Sequence, residues 1–445
     1  MLVITLLIIL IQLGLAVVSP GRFVFFCLWF QAIPYFWTWN TQMVFDTPIG
    51  PVNVIAMQVF GMCLACLLVI LGNLDIAMPQ LKPYKWHLAF LGFCMLSLSY
   101  APSAAYGFRM IAKLLGPPLF MIALQSCMKT PEELQKASNA IIGSGVILIA
   151  MALLARAMGI DSDPNGSGGL GPPGMGPPVF AAHMLPVSML ALAYCVCRPR
   201  LATVAFTLLC AAAVVGAVQR TSAAALYAGF SAILLLGTRG IWRVLLPASA
   251  LVALPALVVF SDTFRRRMFF GNLESQDLFD DPTGALSKIN SSGRSGLWDS
   301  TLQRFFSPHP IAGSGVGSTQ DYFYSRAGSG VVHSEYVRLL CEVGVIGLVL
   351  FALAALAYIW MLRRYVVRAE SSQQRVFALA GIGSIVAYLI YCSTDNAFDY
   401  VNQFGIFVFG LVGMAAKSRT WSSASDQERT QIPAASTPPF PNLLR

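Results

Sequence analysis

Four side chains at the mouth of one apolar segment are the first candidates for chemistry. They are His333, Glu335, Tyr336 and Arg338, in the stretch Val332-His333-Ser334-Glu335-Tyr336-Val337-Arg338. An imidazole with an ordinary pKa of about 6.5 suits proton transfer near neutral pH, and Glu335 is the next candidate base. Further along the same segment stand Glu342, Gly344 and Gly347. A carboxylate alone in a membrane is costly, so Glu342 is expected to pair with Arg338 four residues earlier. The two glycines are expected to let helices pack closely.

Two arginines break the local pattern. Arg220 lies in Val218-Gln219-Arg220-Thr221-Ser222, a short turn between apolar runs on the side otherwise poor in positive charge. It calls for an anionic partner; the plainer alternative is a side chain that snorkels to lipid headgroups. Arg294 is flanked by glycines in Ser292-Gly293-Arg294-Ser295-Gly296-Leu297-Trp298, where Trp298 suits a membrane interface. Gly313-Ser314-Gly315-Val316-Gly317 lacks the Gly-Lys-Ser/Thr of a P-loop. Amides around Gly315 and Gly317 form either an anion-binding nest or a flexible turn.

The elements that must position these residues follow from composition. Hydrophobic residues make up 56% of 445 and charged residues only 11%, far from the roughly one quarter charged of a soluble domain. Apolar runs fall at 2–18, 23–39, 52–72, 86–100, 104–127, 136–156, 179–197, 200–218, 221–236, 243–260, 336–361, 376–392 and 400–416. They predict an all-α membrane protein of about 12–13 transmembrane helices with one large outward loop. The first run lacks a basic leader and reads as an anchor rather than a cleaved signal. The expected units are an N-terminal bundle (1–260), the loop (261–332), C-terminal helices (333–416) and a disordered tail (417–445).

Lys82, Lys85, Lys129, Lys136, Arg198, Arg200, Arg239, Arg243, Arg363, Arg364, Arg368 and Arg375 all fall on one side under simple alternation. That side is cytoplasmic, which sends the loop to the periplasm of a bacterial inner membrane. The net charge of +9 therefore reflects orientation and not nucleic-acid binding. The loop itself balances seven basic against seven acidic residues, and Arg265, Arg266 and Arg267 follow a span directly, as if to meet headgroups. The ten cysteines lie in or beside apolar runs, which implies small apolar filler and no disulfide framework. Asp280-Asp281 before Pro282 reads as a turn, and no metal or cofactor is expected.

His333-Ser-x-Tyr-x-x-x-Leu-x-Glu-x-Gly-x-x-Gly347 resembles the signature of the O-antigen ligase and polymerase family. Arg220-Thr-Ser before a span, Ser-Gly-Arg294 with Trp298, Pro310 and the Gly313/Gly315/Gly317 run resemble the rest of it, in the same order, over about 200–351. Ser334 stands where the family commonly has asparagine. The resemblance implies a metal-independent, inverting transfer of oligosaccharide from undecaprenyl diphosphate to an acceptor hydroxyl at the periplasmic face. It implies that Arg220 and Arg294 hold the diphosphate and that His333 activates the acceptor. Implied partners are the lipid-linked donor, a glycan or lipid A–core acceptor, membrane lipids and other polysaccharide-assembly proteins. A transporter or flippase of lipid-linked sugar would instead place ionisable groups deep in spans and show repeat symmetry. Tyr322, Phe323 and Tyr324 near His333, and the acidic, aromatic turn Asp395–Tyr400, favour a polymerase over a ligase.

Overall fold

The computed structural model describes residues 2–30, 44–47, 50–160, 168–269, 274, 276–280, 283–284, 288, 290, 293–327 and 332–431. Within the described residues each apolar run forms a helix, and residues 31–39 of the run 23–39 lie outside them. In the first half these are α1 (Leu2–Val18), α2 (Pro20–Phe30), α3 (Val54–Leu71), the short α4 (Leu74–Gln80), α5 (Lys85–Ser97), α6 (Ala104–Cys127), α7 (Pro131–Ala157), α8 (Pro177–Cys197), α9 (Leu201–Gly216), α10 (Arg220–Gly237) and α11 (Trp242–Phe260). The loop contributes α12 (Asp262–Met268), α13 (Asp277–Asp280), α14 (Arg294–Thr301) and α15 (Ser318–Ala327). The chain closes with α16 (Glu335–Val367), α17 (Ser372–Tyr391) and α18 (Ile406–Gln431). A small antiparallel hairpin pairs Val44–Thr47 with Gly50–Asn53.

Among the described residues, eight helices are long and apolar enough to cross a membrane, α3, α6, α7, α8, α10, α16, α17 and the span Val401–Trp421. The remaining apolar runs form α1, α2, α5, α9 and α11. This is an all-α, multi-pass membrane protein. Its centre is made by α8, α17 and α18, which are apolar on every face because they are surrounded by other helices. Gly229 of α10 lets that helix approach α17 closely: a Cβ there would lie 2.8 Å from the Gly383 carbonyl. Helix α18 continues to Gln431, past the tail boundary expected at Lys417. Arg419 extends that side to Glu370, at 2.6 Å, and residues 432–445 lie outside those described.

Helix α16 is broken at Gly344, whose φ of 63° places it in the left-handed region. The loop segment before α15 fills the break. Val345 N–H donates to the Pro310 carbonyl (2.9 Å) and Ile346 N–H to that of Ile311 (3.1 Å). In return, Ser314 and Gly315 N–H donate to the carbonyls of Cys341 and Glu342, at 2.8 and 2.9 Å. Backbone groups freed at the kink are thus paired by the loop rather than left in hydrocarbon. Gly344 does not serve the helix packing expected of it; it admits the loop.

The same contact corrects the expected partner of Glu342. Its carboxylate accepts Gly317 N–H at 2.8 Å and the Thr319 hydroxyl, while Arg338 is bonded elsewhere. The glycine run does cradle an anion, and that anion is the protein's own carboxylate. Gly317, at φ 82°, lies against the Tyr106 and Gly107 backbone, where a side chain has no room. Gly344→Ala is therefore expected to cost at least ~1–3 kcal/mol and to release the loop. Thermal unfolding in detergent and limited proteolysis within 302–330 would register both effects, and an unchanged profile would contradict the docking.

Candidate functional site

Arg220 is the first residue of α10, and the turn that presents it is strained. Val218 has φ 54°, a conformation that a β-branched residue adopts only when its surroundings impose it. Arg267 of α12 holds that turn, donating to the Val218 carbonyl at 2.7 Å. Arg265 likewise turns inward, to the Val259 carbonyl and Asp262. These two arginines face protein groups, which corrects the headgroup role expected of them.

Arg294 opens α14 behind Gly293, whose φ of 75° turns the chain into the helix. Its guanidinium donates to the Thr394 carbonyl, and that of Arg220 donates to the Asn290 carbonyl. Thr221 and Thr394 hydroxyls meet at 2.5 Å, joining the two positions. Arg220 and Arg294 line one cavity of about 330 Å³. Val258, Phe264, Met268 and Ile390 give it an apolar wall beside the two cations. Such a cavity suits an amphiphile with an anionic head. Trp298 lines it as well, and its indole N–H donates to the Val332 carbonyl at 2.8 Å. It anchors the residue before His333.

His333 is the other non-glycine with positive φ among the described residues, at 56°. It lies just outside α16, whose N-terminus is capped by the Ser334 hydroxyl on Val337 N–H. Its own N–H donates to Asn396 Oδ1 (3.0 Å), and its Nδ1 lies 3.2 Å from Asn396 Nδ2. Burial holds the imidazole below its ordinary pKa, and the nearby Arg294 and Arg338 add to this. Asp395 and Asp399 oppose the shift. The balance favours the neutral ring.

Beneath His333 lies a buried charge network. Arg338, 1% exposed, bonds Glu335 and Asp399, each at 3.1 Å, and reaches Asn396 Oδ1 at 3.4 Å. Lys113 of α6 pairs with the other oxygen of Asp399 at 2.5 Å. Burial disfavours the Asp399 carboxylate, but Lys113 and Arg338 outweigh it and hold its pKa below the usual range. Asp395 moves the other way: burial raises it, although the Asn396 amide and Arg294 favour its charged form. Glu335 also accepts Phe398 N–H at 2.8 Å, and the Tyr336 hydroxyl donates to the Leu389 carbonyl at 2.8 Å. Glu335, Tyr336 and Arg338 are thus struts that join α16 to α17 and to the turn before α18.

The structure brings Arg220, Arg294 and Trp298 to one cavity, and Trp298 ties that cavity to the residue before His333. It sends Gly315 and Gly317 to the docked loop. Residues 205–352 match the model of the O-antigen ligase family. The chain carries an O-antigen ligase domain. No curated protein matches the chain. The O-antigen ligase segment includes Arg220, Arg294 and His333 but neither Lys113 nor Asn396 nor Asp399. Lys113, Asn396 and Asp399, on either side of the matched segment, thus join the network beneath His333. Of these, Lys113 alone carries a signal in the sequence: it is a cation inside an apolar run, and such a group needs a buried partner.

Of the other histidines, His183 is held in the core by Ser144 and the Gln403 carbonyl, each at 3.1 Å. His87 is enclosed by Phe90, Tyr358 and Phe409. Both are packing residues.

Proposed function

We propose that this protein transfers an oligosaccharide from undecaprenyl diphosphate to an acceptor sugar hydroxyl at the periplasmic face of the bacterial inner membrane. The observation that carries the reading is the convergence of Arg220 and Arg294 on one half-apolar cavity, whose Trp298 bonds the residue before His333. Arginine forks match diphosphate oxygens and neutralise the leaving group. The apolar wall suits the first isoprene units. The acceptor oxygen attacks the anomeric carbon in line, the bond to the phosphate oxygen breaks, and its electron pair stays with the diphosphate. The hydroxyl proton is lost to solvent as the departing diphosphate gains one. His333 acts at this centre, either taking that proton or hydrogen-bonding the departing oxygen; its tautomer decides which.

Arg220→Lys and Arg294→Lys are each expected to lower kcat/KM for the lipid-linked donor by about 10–100-fold, since a point charge loses the fork. Steady-state kinetics with purified protein in nanodiscs would test this. Activity as in the wild type for both variants would contradict the diphosphate assignment.

Two acceptors remain to be separated. A second cavity of about 730 Å³, lined in part by Tyr100, Arg304, Phe305 and His309, supports a growing sugar chain. Its lining holds the aromatic rings of Tyr100 and Phe305 against the single charge of Arg304. This favours a polymerase. The acidic turn no longer adds to that reading, because Asp399 is neutralised and Asp395 is buried. Arg267, beside Arg220, favours the second reading, a ligase acting on anionic lipid A–core. Deleting the gene should leave single repeat units on the lipid carrier if the protein is a polymerase. Long polymer on the carrier with none on lipid A–core would identify a ligase.

A further inference from the structure

Asn396 is 4% exposed and touches His333 twice. A backbone N–H can only donate, so the His333 amide identifies the Asn396 atom it meets, at 3.0 Å, as the carbonyl oxygen. Arg338, also a pure donor, approaches the same oxygen at 3.4 Å. Two obligatory donors thus fix the orientation of the amide. The other Asn396 atom is then the NH2 group, a donor with no lone pair to offer, and it lies 3.2 Å from His333 Nδ1. For this contact to be a hydrogen bond, Nδ1 must accept. A neutral imidazole whose Nδ1 accepts carries its proton on Nε2.

We infer that Asn396 holds the neutral His333 ring in its Nε2–H tautomer, so that His333 meets its substrate as a hydrogen-bond donor. This rests on the transfer site proposed above and assigns a role within it. The lone pair a general base would need is turned toward Asn396. Among the described residues no hydrogen bond is made to Nε2, and that N–H is left for the substrate. Directed at the departing phosphate oxygen, it joins Arg220 and Arg294 in a set composed wholly of donors. Such a set stabilises the charge that develops as the carbon–oxygen bond breaks. Asn396 is a positioning residue here: it acts through His333 and touches no reacting atom.

The groups around the ring agree with this assignment. Among the described residues, Arg294, Arg338, Asp395 and Asp399 are the charged groups that act on it. Both aspartates are bonded elsewhere, Asp399 to Lys113 and Arg338, and Asp395 to the Asn396 N–H and the Tyr400 hydroxyl. Neither is hydrogen-bonded to Nδ1, so neither draws the proton there. The left-handed backbone at His333 serves the same end, because it turns both the N–H and the ring nitrogen toward one asparagine.

The test is 15N NMR of histidine-labelled full-length protein in nanodiscs at neutral pH. The His333 signal is assigned by its loss in His333→Gln or by its displacement in Asn396→Ser. A pyridine-like Nδ1 and a pyrrole-like Nε2 are expected in the wild type. Asn396→Asp, which offers Nδ1 an acceptor, should reverse the pattern and lower transfer by about 10²–10³-fold. His333→Gln keeps a side-chain N–H donor and should retain clearly more activity than His333→Ala. A pyrrole-like Nδ1 in the wild type would overturn the tautomer assignment. Equal inactivity of the folded Gln and Ala variants would overturn the donor role. A fully active His333→Ala would instead remove the proposed site and leave the tautomer measurement standing.

Discussion

His333→Ala is expected to lower glycan transfer by at least ~10²-fold, whichever way the imidazole acts on the reacting atoms. Binding of the lipid diphosphate should change little, because Arg220 and Arg294 line the cavity independently of the ring. Expression and thermal stability should also hold. The ring is half-buried at the loop edge, and its structural bond to Asn396 Oδ1 is made by the backbone N–H, which alanine keeps. Transfer assayed beside donor binding on the same preparation separates these effects. A variant that binds donor and still transfers at the wild-type rate would remove His333 from the chemistry. Glu335 does not stand ready to replace it, since its carboxylate is fully buried against Arg338 and the Phe398 amide.

Arg338→Met is expected to have the largest effect on folding. The arginine is 1% exposed and faces Glu335, which is 0% exposed, and Asp399. Removing one partner of a buried ion pair costs about 3–5 kcal/mol, because the other charge remains without compensation. Asp399 keeps Lys113, so most of the loss falls on Glu335. The double variant Arg338→Met/Glu335→Gln should therefore be more stable than Arg338→Met alone. Thermal unfolding of the three proteins in one detergent checks the ordering. A single variant as stable as the wild type would show that this network does not hold α16 to the turn before α18.

The sequence made Arg220, Arg294 and His333 legible because each breaks a local rule. Arg220 is a cation in an outward turn, Arg294 sits between glycines, and His333 is a polar residue at the mouth of an apolar run. The helices were legible for the same reason that membrane segments usually are, since length and apolarity suffice. Glu342 was misread because spacing of four residues assumes that partners lie on one helix. Its partners, Gly317 and Thr319, return from the loop to a helix broken at Gly344. Lys113 announced that it had a buried partner, but that the partner is Asp399, and that Asn396 joins them, was beyond reach for another reason. Lys113 and Asp399 stand 286 positions apart, and only packing of α6 against the turn before α18 joins them. Such pairs are set by tertiary contact, which no local pattern encodes.

In the proposed reaction a lipid diphosphate leaves as each sugar is transferred. Purified protein in nanodiscs, given a lipid-diphosphate-linked repeat unit and an acceptor glycan, tests this most directly when both products are counted. Free lipid diphosphate and new glycosidic linkages should appear in equal amounts, and both should fall together in Arg294→Lys. Release of lipid diphosphate without a new linkage, or movement of intact lipid-linked sugar across the bilayer, would contradict it.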